Sequence, residues 1–189
     1  SVSHDLKAPL RAIDGFSKIL IEDHYKSLDD EGLRVLRVII ANANKMRLLI
    51  EDILEISRLG RKQLVFSDIN LNLMVKDIIL EFESATANRN VTWTISEVPD
   101  VKGDRVLIKQ MLINLISNAV KFSGKKDESI IEIGHLEKEG KTVYFVKDNG
   151  VGFEMKYVEK VLEVFQRLHL AEEFEGTGIG LAIVKRIID

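Results

Sequence analysis

Apolar residues at Val2, Leu6, Ile13, Phe16 and Leu20 recur at spacings of three, four or seven, the pattern of one stripe along an amphipathic helix. A polar stretch, Tyr25 to Gly32, interrupts it. The pattern then resumes at Leu33, Leu36, Ile40, Ala43, Ile50 and Leu54, with Val35, Ile39, Met46, Leu49 and Ile53 widening the stripe. Two helices joined by a short loop form an antiparallel hairpin, and one hairpin cannot bury stripes of this width. The expected assembly is a homodimer in which two hairpins close a four-helix bundle.

The helical period fades at Gly60-Arg61-Lys62-Gln63, a short basic and polar stretch. The expected organisation is a helical domain over 1–60, a linker over 61–64 and a second domain over 65–189. In the second domain the pattern predicts strands at Leu64–Ile69, Val91–Ser96, Ser129–Leu136 and Thr142–Lys147, and helices at Leu71–Ala87, Arg105–Phe122 and Gly178–Ile188. Alternation at Ile131/Ile133 and Val143/Phe145 fits a sheet with one face against helices. The fold class is therefore an all-α hairpin followed by an α/β (α+β) sandwich. Helical patterns are under way at Val2 and still running at Ile188, so a piece of a larger protein is expected.

Composition narrows the partners. The chain has 189 residues, 46% of them hydrophobic and 30% charged, which is ordinary for a soluble globular protein. A net charge of −3 gives no electrostatic reason to expect nucleic acid. With no cysteine, disulfides and thiolate metal sites are excluded, which fits a reducing, cytoplasmic setting. There is no apolar run of the roughly 18 residues that would span a bilayer, so this stretch is not expected to be membrane-embedded, although a full-length protein with a membrane anchor is compatible with it.

Four separated segments bear chemistry. At about 100° per residue His4 lies about 200° around the first helix from both Val2 and Leu6, off the apolar stripe. A neutral imidazole there is a competent nucleophile toward phosphorus, with Asp5 placed to orient it or take its proton. Pro9 removes the backbone bond to the Asp5 carbonyl and loosens the helix below the histidine. Asn114, Asn118 and Lys121 share one polar helix face; two amide oxygens suit a Mg²⁺ that also binds phosphates, and the lysine offsets phosphate charge. Asp148-Asn149-Gly150-Val151-Gly152 follows a strand and lets a ligand approach the main chain, its carboxylate able to accept from an exocyclic amine such as that of adenine. Gly176, Gly178 and Gly180 lead into the last helix, at Leu181, where free N–H groups and the dipole favour phosphate. The 23 charge-rich residues between Gly152 and Gly176 have the length of a lid or a disordered segment. Each segment also has a plainer reading: a solvated face for the His-Asp pair and the Asn-Asn-Lys triplet, a simple bend at Pro9, a β-turn at Asp148, a flexible linker at the glycines. It is their order in one chain that describes a phosphate donor site and an acceptor.

These residues resemble the sensor histidine kinases of two-component signalling along essentially the whole chain. Ser3 to Leu10 looks like the family's H box, Asn114 to Lys121 the N box, Asp148 to Gly152 the G1 box, Val161 to Arg167 the F box and Gly176 to Leu181 the G2 box. The resemblance implies autophosphorylation of His4 by MgATP, with transfer to an aspartate on a response regulator receiver domain. It implies Asn118 as a direct Mg²⁺ ligand, Asn114 as a supporting ligand, Lys121 on the phosphates, and Asp148 on the adenine amine, with Gly150, Gly152, Gly176, Gly178, Gly180 and Leu181 completing the ATP site. Phe165 to His169 and the H box are similar to phytochrome-like members, which implies an upstream sensor domain. The linker at Gly60–Gln63 is expected to act as a hinge. Many relatives carry Thr or Asn four residues after the histidine, where Ala8 stands here, which implies weak phosphatase activity toward the regulator. Two other readings are a scaffold with a nucleotide site and an ATP-hydrolysing clamp related to gyrase and Hsp90. The clamps place a water-activating Glu four residues before the metal-binding Asn, where this chain has Asn114.

Overall fold

The structure, a computed structural model, describes residues 2–59, 63–166, 168, 173–174 and 176–189, with side chains at these positions other than 2–5, 55, 56, 58, 59 and 85. The chain divides into two compact units, Ser1–Arg61 and Lys62–Asp189. Of the linker expected at 61–64, Arg61 and Lys62 lie outside the described residues, as does Gly60 of the hinge stretch.

In the first unit α1 (Val2–His24) runs through Pro9, a single 3₁₀ turn covers Tyr25–Ser27, and α2 (Asp30–Leu59) returns. The second helix starts three residues before the first apolar position of its stripe, because the Asp29 carboxylate accepts from the Gly32 N–H at 2.7 Å and caps the helix. The seam between the helices differs from the predicted stripe on α1. Among the described side chains of α1 the buried ones are Leu10 and Ser17, and those of α2 include Leu33, Leu36 and Ala43. A Lys7–Glu51 ion pair of 3.0 Å joins the two helices, with Arg47 on the same carboxylate at 3.0 Å. Leu6, Ile13, Phe16 and Leu20 instead stay 42–69% exposed. Polar side chains occupy much of the seam, so a search for apolar periodicity selects the other face of α1.

The second unit runs β1 (Phe66–Ile69), α3 (Leu71–Ala85), β2 (Val91–Ile95), β3 (Val101–Asp104), α4 (Arg105–Phe122), β4 (Ser129–Lys138), β5 (Lys141–Asp148), a 3₁₀ turn at Met155–Tyr157, the single-turn α5 (Val158–Val161) and α6 (Gly180–Ile188). β2 pairs parallel to β4, and β4 antiparallel to β5; β1 and β3 form a separate antiparallel pair. Ile131 and Ile133 of β4 turn into a core with Met74, Val75 and Ile78 of α3 and Leu112, Ile116 and Ala119 of α4, so helices cover one sheet face as the β4 alternation predicts; on β5 it is Val146, opposite Ile133, that packs on this core, whereas Val143 and Phe145, opposite Leu136 and Gly134, lie on the other face. β3 has no counterpart in the sequence reading. Two caps place the helices that matter for the site: Asn70 accepts from Leu73 N–H at 2.8 Å, and Asp104 accepts from Val106 and Leu107 N–H at 3.0 and 3.2 Å. Asp104 also accepts from Val65 N–H at 3.1 Å, tying the start of α4 to the residue before β1.

Candidate nucleotide site

α4, the end of β5 and the start of α6 enclose a cavity of about 300 Å³ in the second unit. Each wall follows from local sequence. α4 buries Leu112, Ile116, Ala119 and Val120, which leaves Leu115, Asn118 and Lys121 to face the cavity. β5 delivers Val146 and Asp148 from its last turn of alternation, and the glycines Gly176, Gly178 and Gly180 form the opposite lip with Leu181. Ile179, at the start of α6, offers no side-chain cap, so the first N–H groups of that helix are not satisfied by one. An uncapped helix end carries partial positive charge and suits phosphate.

The turn after β5 is held tightly. Gly150 N–H donates to the Asp148 carboxylate at 2.8 Å, and Val151 N–H donates to the Phe122 carbonyl at the end of α4 at 3.3 Å. A Cβ at Gly150 would sit 2.6 Å from the Phe122 carbonyl carbon and oxygen, so only glycine lets the turn approach α4 this closely. Lys121 lies with its ammonium 4.3 Å from the centre of the Phe122 ring and close to Gly176.

The predicted residues do not all meet. Asn118, Lys121, Asp148, Gly152, Gly176, Gly178, Gly180 and Leu181 line the cavity. Gly150 shapes the turn without lining it. Asn114 is not among the lining residues: its amide N–H donates to the Gln110 carbonyl at 3.0 Å, and its oxygen rests against the Cα side of Gly180. His4 and Asp5 lie in the first turn of α1, in the other unit, and their side chains are outside the described set. Of the segment read as a lid, Phe153, Val161, Gln166, Leu168 and Phe174 line the cavity, whereas Arg167, residues 169–172 and Glu175 lie outside the described residues.

Residue-by-residue reading missed the apolar half of the site. Leu115, Phe122, Val146, Phe153 and Phe174 give it walls suited to a flat ring. Phe122 and Phe174 pack with ring centres 5.2 Å apart. Phe174 is only 7% exposed and stands two residues before Gly176, amid charge, where no periodicity marks it. The signal available was position alone, a buried-type residue flanking a glycine run.

Two family models match in sequence. Residues 1–62 match the His Kinase A (phospho-acceptor) domain, and residues 103–189 match the Histidine kinase-, DNA gyrase B-, and HSP90-like ATPase. The chain is 36% identical over 190 residues to cyanobacterial phytochrome B of Nostoc sp. strain PCC 7120, covering 99% of this chain and 25% of that protein. It is 34% identical over 191 residues to the methanogenesis regulatory histidine kinase FilI of Methanothrix harundinacea, covering 100% of this chain and 21% of FilI. It thus spans about a quarter of the length of such curated relatives. Among solved structures, histidine kinase ThkA in complex with the response regulator protein TrrA superposes with a TM-score of 0.63 at 26% identity, over 100% of this chain and 52% of that one. Full-length ShkA in complex with AMPPNP shares the fold, with a TM-score of 0.67 at 22% identity over 98% of this chain and 39% of ShkA. The chain belongs to the sensor histidine kinases, carrying their phospho-acceptor domain and their ATPase-type domain in that order.

Proposed function

We propose that this chain uses ATP to phosphorylate His4 and passes the phosphoryl group to an aspartate of a response regulator, working as a homodimer within a longer protein that carries a sensor domain. The observation that carries this reading is the cavity: an apolar slot ending on a carboxylate, Asp148, joined to a phosphate-suited end made by Lys121, Asn118 and the uncapped start of α6. That division matches the two halves of a nucleoside triphosphate. The accompanying support is the order of domains, with His4 inside the phospho-acceptor match.

The transfer itself balances simply. A His4 imidazole nitrogen forms a bond to the γ-phosphorus as the bond to the β–γ bridging oxygen breaks and ADP leaves. Asp5 orients the ring or takes its proton. The P–N bond is then broken by a carboxylate oxygen of the regulator's aspartate, which regenerates the imidazole. Lys121 and the α6 N–H groups stabilise charge on the transferring group, and Asp148 fixes the base.

Mg²⁺ fits the donor set. The Asn118 amide oxygen is a hard ligand of the kind Mg²⁺ takes alongside waters and substrate phosphates, and Asn118 would hold it, with Asn114 in support from the next turn of α4. The ion, when bound, neutralises charge on the β- and γ-phosphates. Among the described residues no group of three or more His, Cys, Asp and Glu is arranged to hold a metal, so the remaining ligands would come from phosphates and water.

The test is incubation with γ-labelled ATP and Mg²⁺, comparing wild type with His4→Gln. Acid-labile, alkali-stable label on the wild type and none on the variant is the expected result. Equal labelling of both would remove His4 from the reaction.

A further inference from the structure

We propose that Asn149 is a positioning residue that sets the placement of the Asp148 carboxylate and, through it, the preference of the cavity for a purine whose amine is at C6, as in adenine; this rests on the nucleotide reading above. The β4–β5 ladder has its last register pair at Ile131 and Asp148. One main-chain bond continues past it, from Asn149 N–H to the Ile130 carbonyl at 3.2 Å. The return bond comes from a side chain: Ile130 N–H donates to Asn149 Oδ1 at 2.9 Å. The same amide then donates from Nδ2 to the Glu128 carbonyl at 3.0 Å. Asn149 thus supplies, with one side chain, the next rung of the ladder, and it uses an acceptor and a donor at once.

The consequence falls on its neighbour. Asp148 and Gly150 flank Asn149, and the Asp148 carboxylate accepts from the Gly150 N–H at 2.8 Å. The turn is therefore clamped on two sides, to β4 by Asn149 and to α4 by the Val151 N–H on the Phe122 carbonyl. Without the side-chain clamp the turn keeps its α4 anchor and the single main-chain bond from Asn149 N–H to the Ile130 carbonyl, and Asp148 sits at the loosened end of β5. A hydrogen bond from an amine to a carboxylate tolerates only a few tenths of an ångström before it weakens. Lys121 and Asn118 on α4 and the glycines before α6 do not depend on that clamp, so phosphate binding is expected to survive its loss. An acidic residue at 149 would keep the acceptor for Ile130 and lose the donor for Glu128. Alanine loses both.

The experiment measures binding of ATP and of GTP, each with Mg²⁺, to the wild-type chain, Asn149→Ala and Asn149→Asp, alongside amide hydrogen exchange at Ile130. Guanine presents a carbonyl where adenine presents the amine, so GTP reports the phosphate half of the site. In Asn149→Ala, ATP affinity is expected to fall about tenfold, the loss of two modest hydrogen bonds, while GTP affinity stays within about twofold and Ile130 exchanges faster. Asn149→Asp, isosteric with the native side chain, is expected to fall between and keeps the comparison available where alanine disturbs folding. An unchanged ATP-over-GTP preference in both variants overturns the proposal, and so does an equal loss of both nucleotides, which would make Asn149 a general fold support. A wild-type chain that binds neither nucleotide fails the nucleotide reading itself, before any variant is compared.

Discussion

The glycines that resemble one another in sequence do different work at atomic scale. A methyl group on Gly150 would meet the Phe122 main chain at 2.6 Å, and neither α4 nor the turn bonded to it can yield. A methyl group on Gly180 would meet Asn114 Oδ1 at 2.8 Å, an atom at the far end of a side chain that can rotate once its bond to Gln110 is given up. Gly150→Ala is therefore expected to weaken ATP binding more than tenfold, or about 1.4 kcal/mol, and Gly180→Ala by less, with titration calorimetry as the measure. Equal losses would contradict the distinction. The sequence shows that glycine is used at both positions, but the obstacle each would strike comes from α4, more than 25 residues away in the chain, and is invisible to any local pattern. Asn118 and Asp148 were legible because a polar face on a buried helix and an acidic turn after a strand each stand out against their surroundings. Asn114 satisfies the same spacing rule and yet turns its amide to its own helix, a choice that spacing does not encode.

Elements with long, regular patterns were read closely, and α4 spans Arg105–Phe122 as the sequence predicts. β3 was missed because Val101-Lys102-Gly103-Asp104 is four residues with a glycine and two charges, and its strand character comes from pairing with β1. On α1 the periodicity was real, but its apolar stripe is the face left open within the hairpin. The cap at Asp104 joins three N–H groups, two in α4 and one in the residue before β1, so Asp104→Ala is expected to lower stability by about 1–2 kcal/mol, seen as a drop in melting temperature. In the hairpin, the hydrogen bond from Lys7 holds Glu51 below the usual glutamate range, opposed by slight desolvation and assisted by the charges of Lys7 and Arg47. A lowered folded-state pKa contributes stability above the unfolded value of about 4.3 and loses it as the pH falls through the folded value. Circular dichroism of the hairpin is expected to show a loss of stability on acidification below that point which is smaller in Glu51→Gln. An identical acid response in the variant would sever the link to Glu51, and the half-exposed setting keeps the effect small.

At the scale of the whole molecule, every described residue lining the cavity belongs to Lys62–Asp189, a compact unit in its own right. That unit alone is expected to bind ATP with an affinity close to that of the full chain and to incorporate no phosphate, since His4 is absent from it. The first unit poses the opposite problem, because it leaves large apolar side chains uncovered. Leu6, Ile13 and Leu20 stand seven residues apart on α1 with Phe16 between them, and Ile39, Met46 and Ile53 stand seven apart on α2, all 39–69% exposed. Heptad spacing on two antiparallel helices is the geometry by which knobs of one hairpin enter holes of another, and a second copy offers the same spacing in return. Burying one such side chain is worth about 1.5–3 kcal/mol, and the seam inside the hairpin, where Leu10, Leu33, Leu36 and Ala43 are buried beside the Lys7–Glu51 ion pair, leaves these outward positions without that gain. Association therefore adds stability to the hairpin beyond that of its internal contacts. Phe16→Glu keeps helix propensity and places a charge at the most exposed of these α1 positions, 69% open in the single chain, so it is expected to convert a dimer into a monomer in sedimentation velocity at micromolar concentration and to reduce helicity with it. Leu10→Ala, inside the seam, is expected to lower the melting temperature while leaving the dimer intact at low temperature. A Phe16→Glu variant that sediments as a dimer would show that the outward stripe does not bring the two copies together.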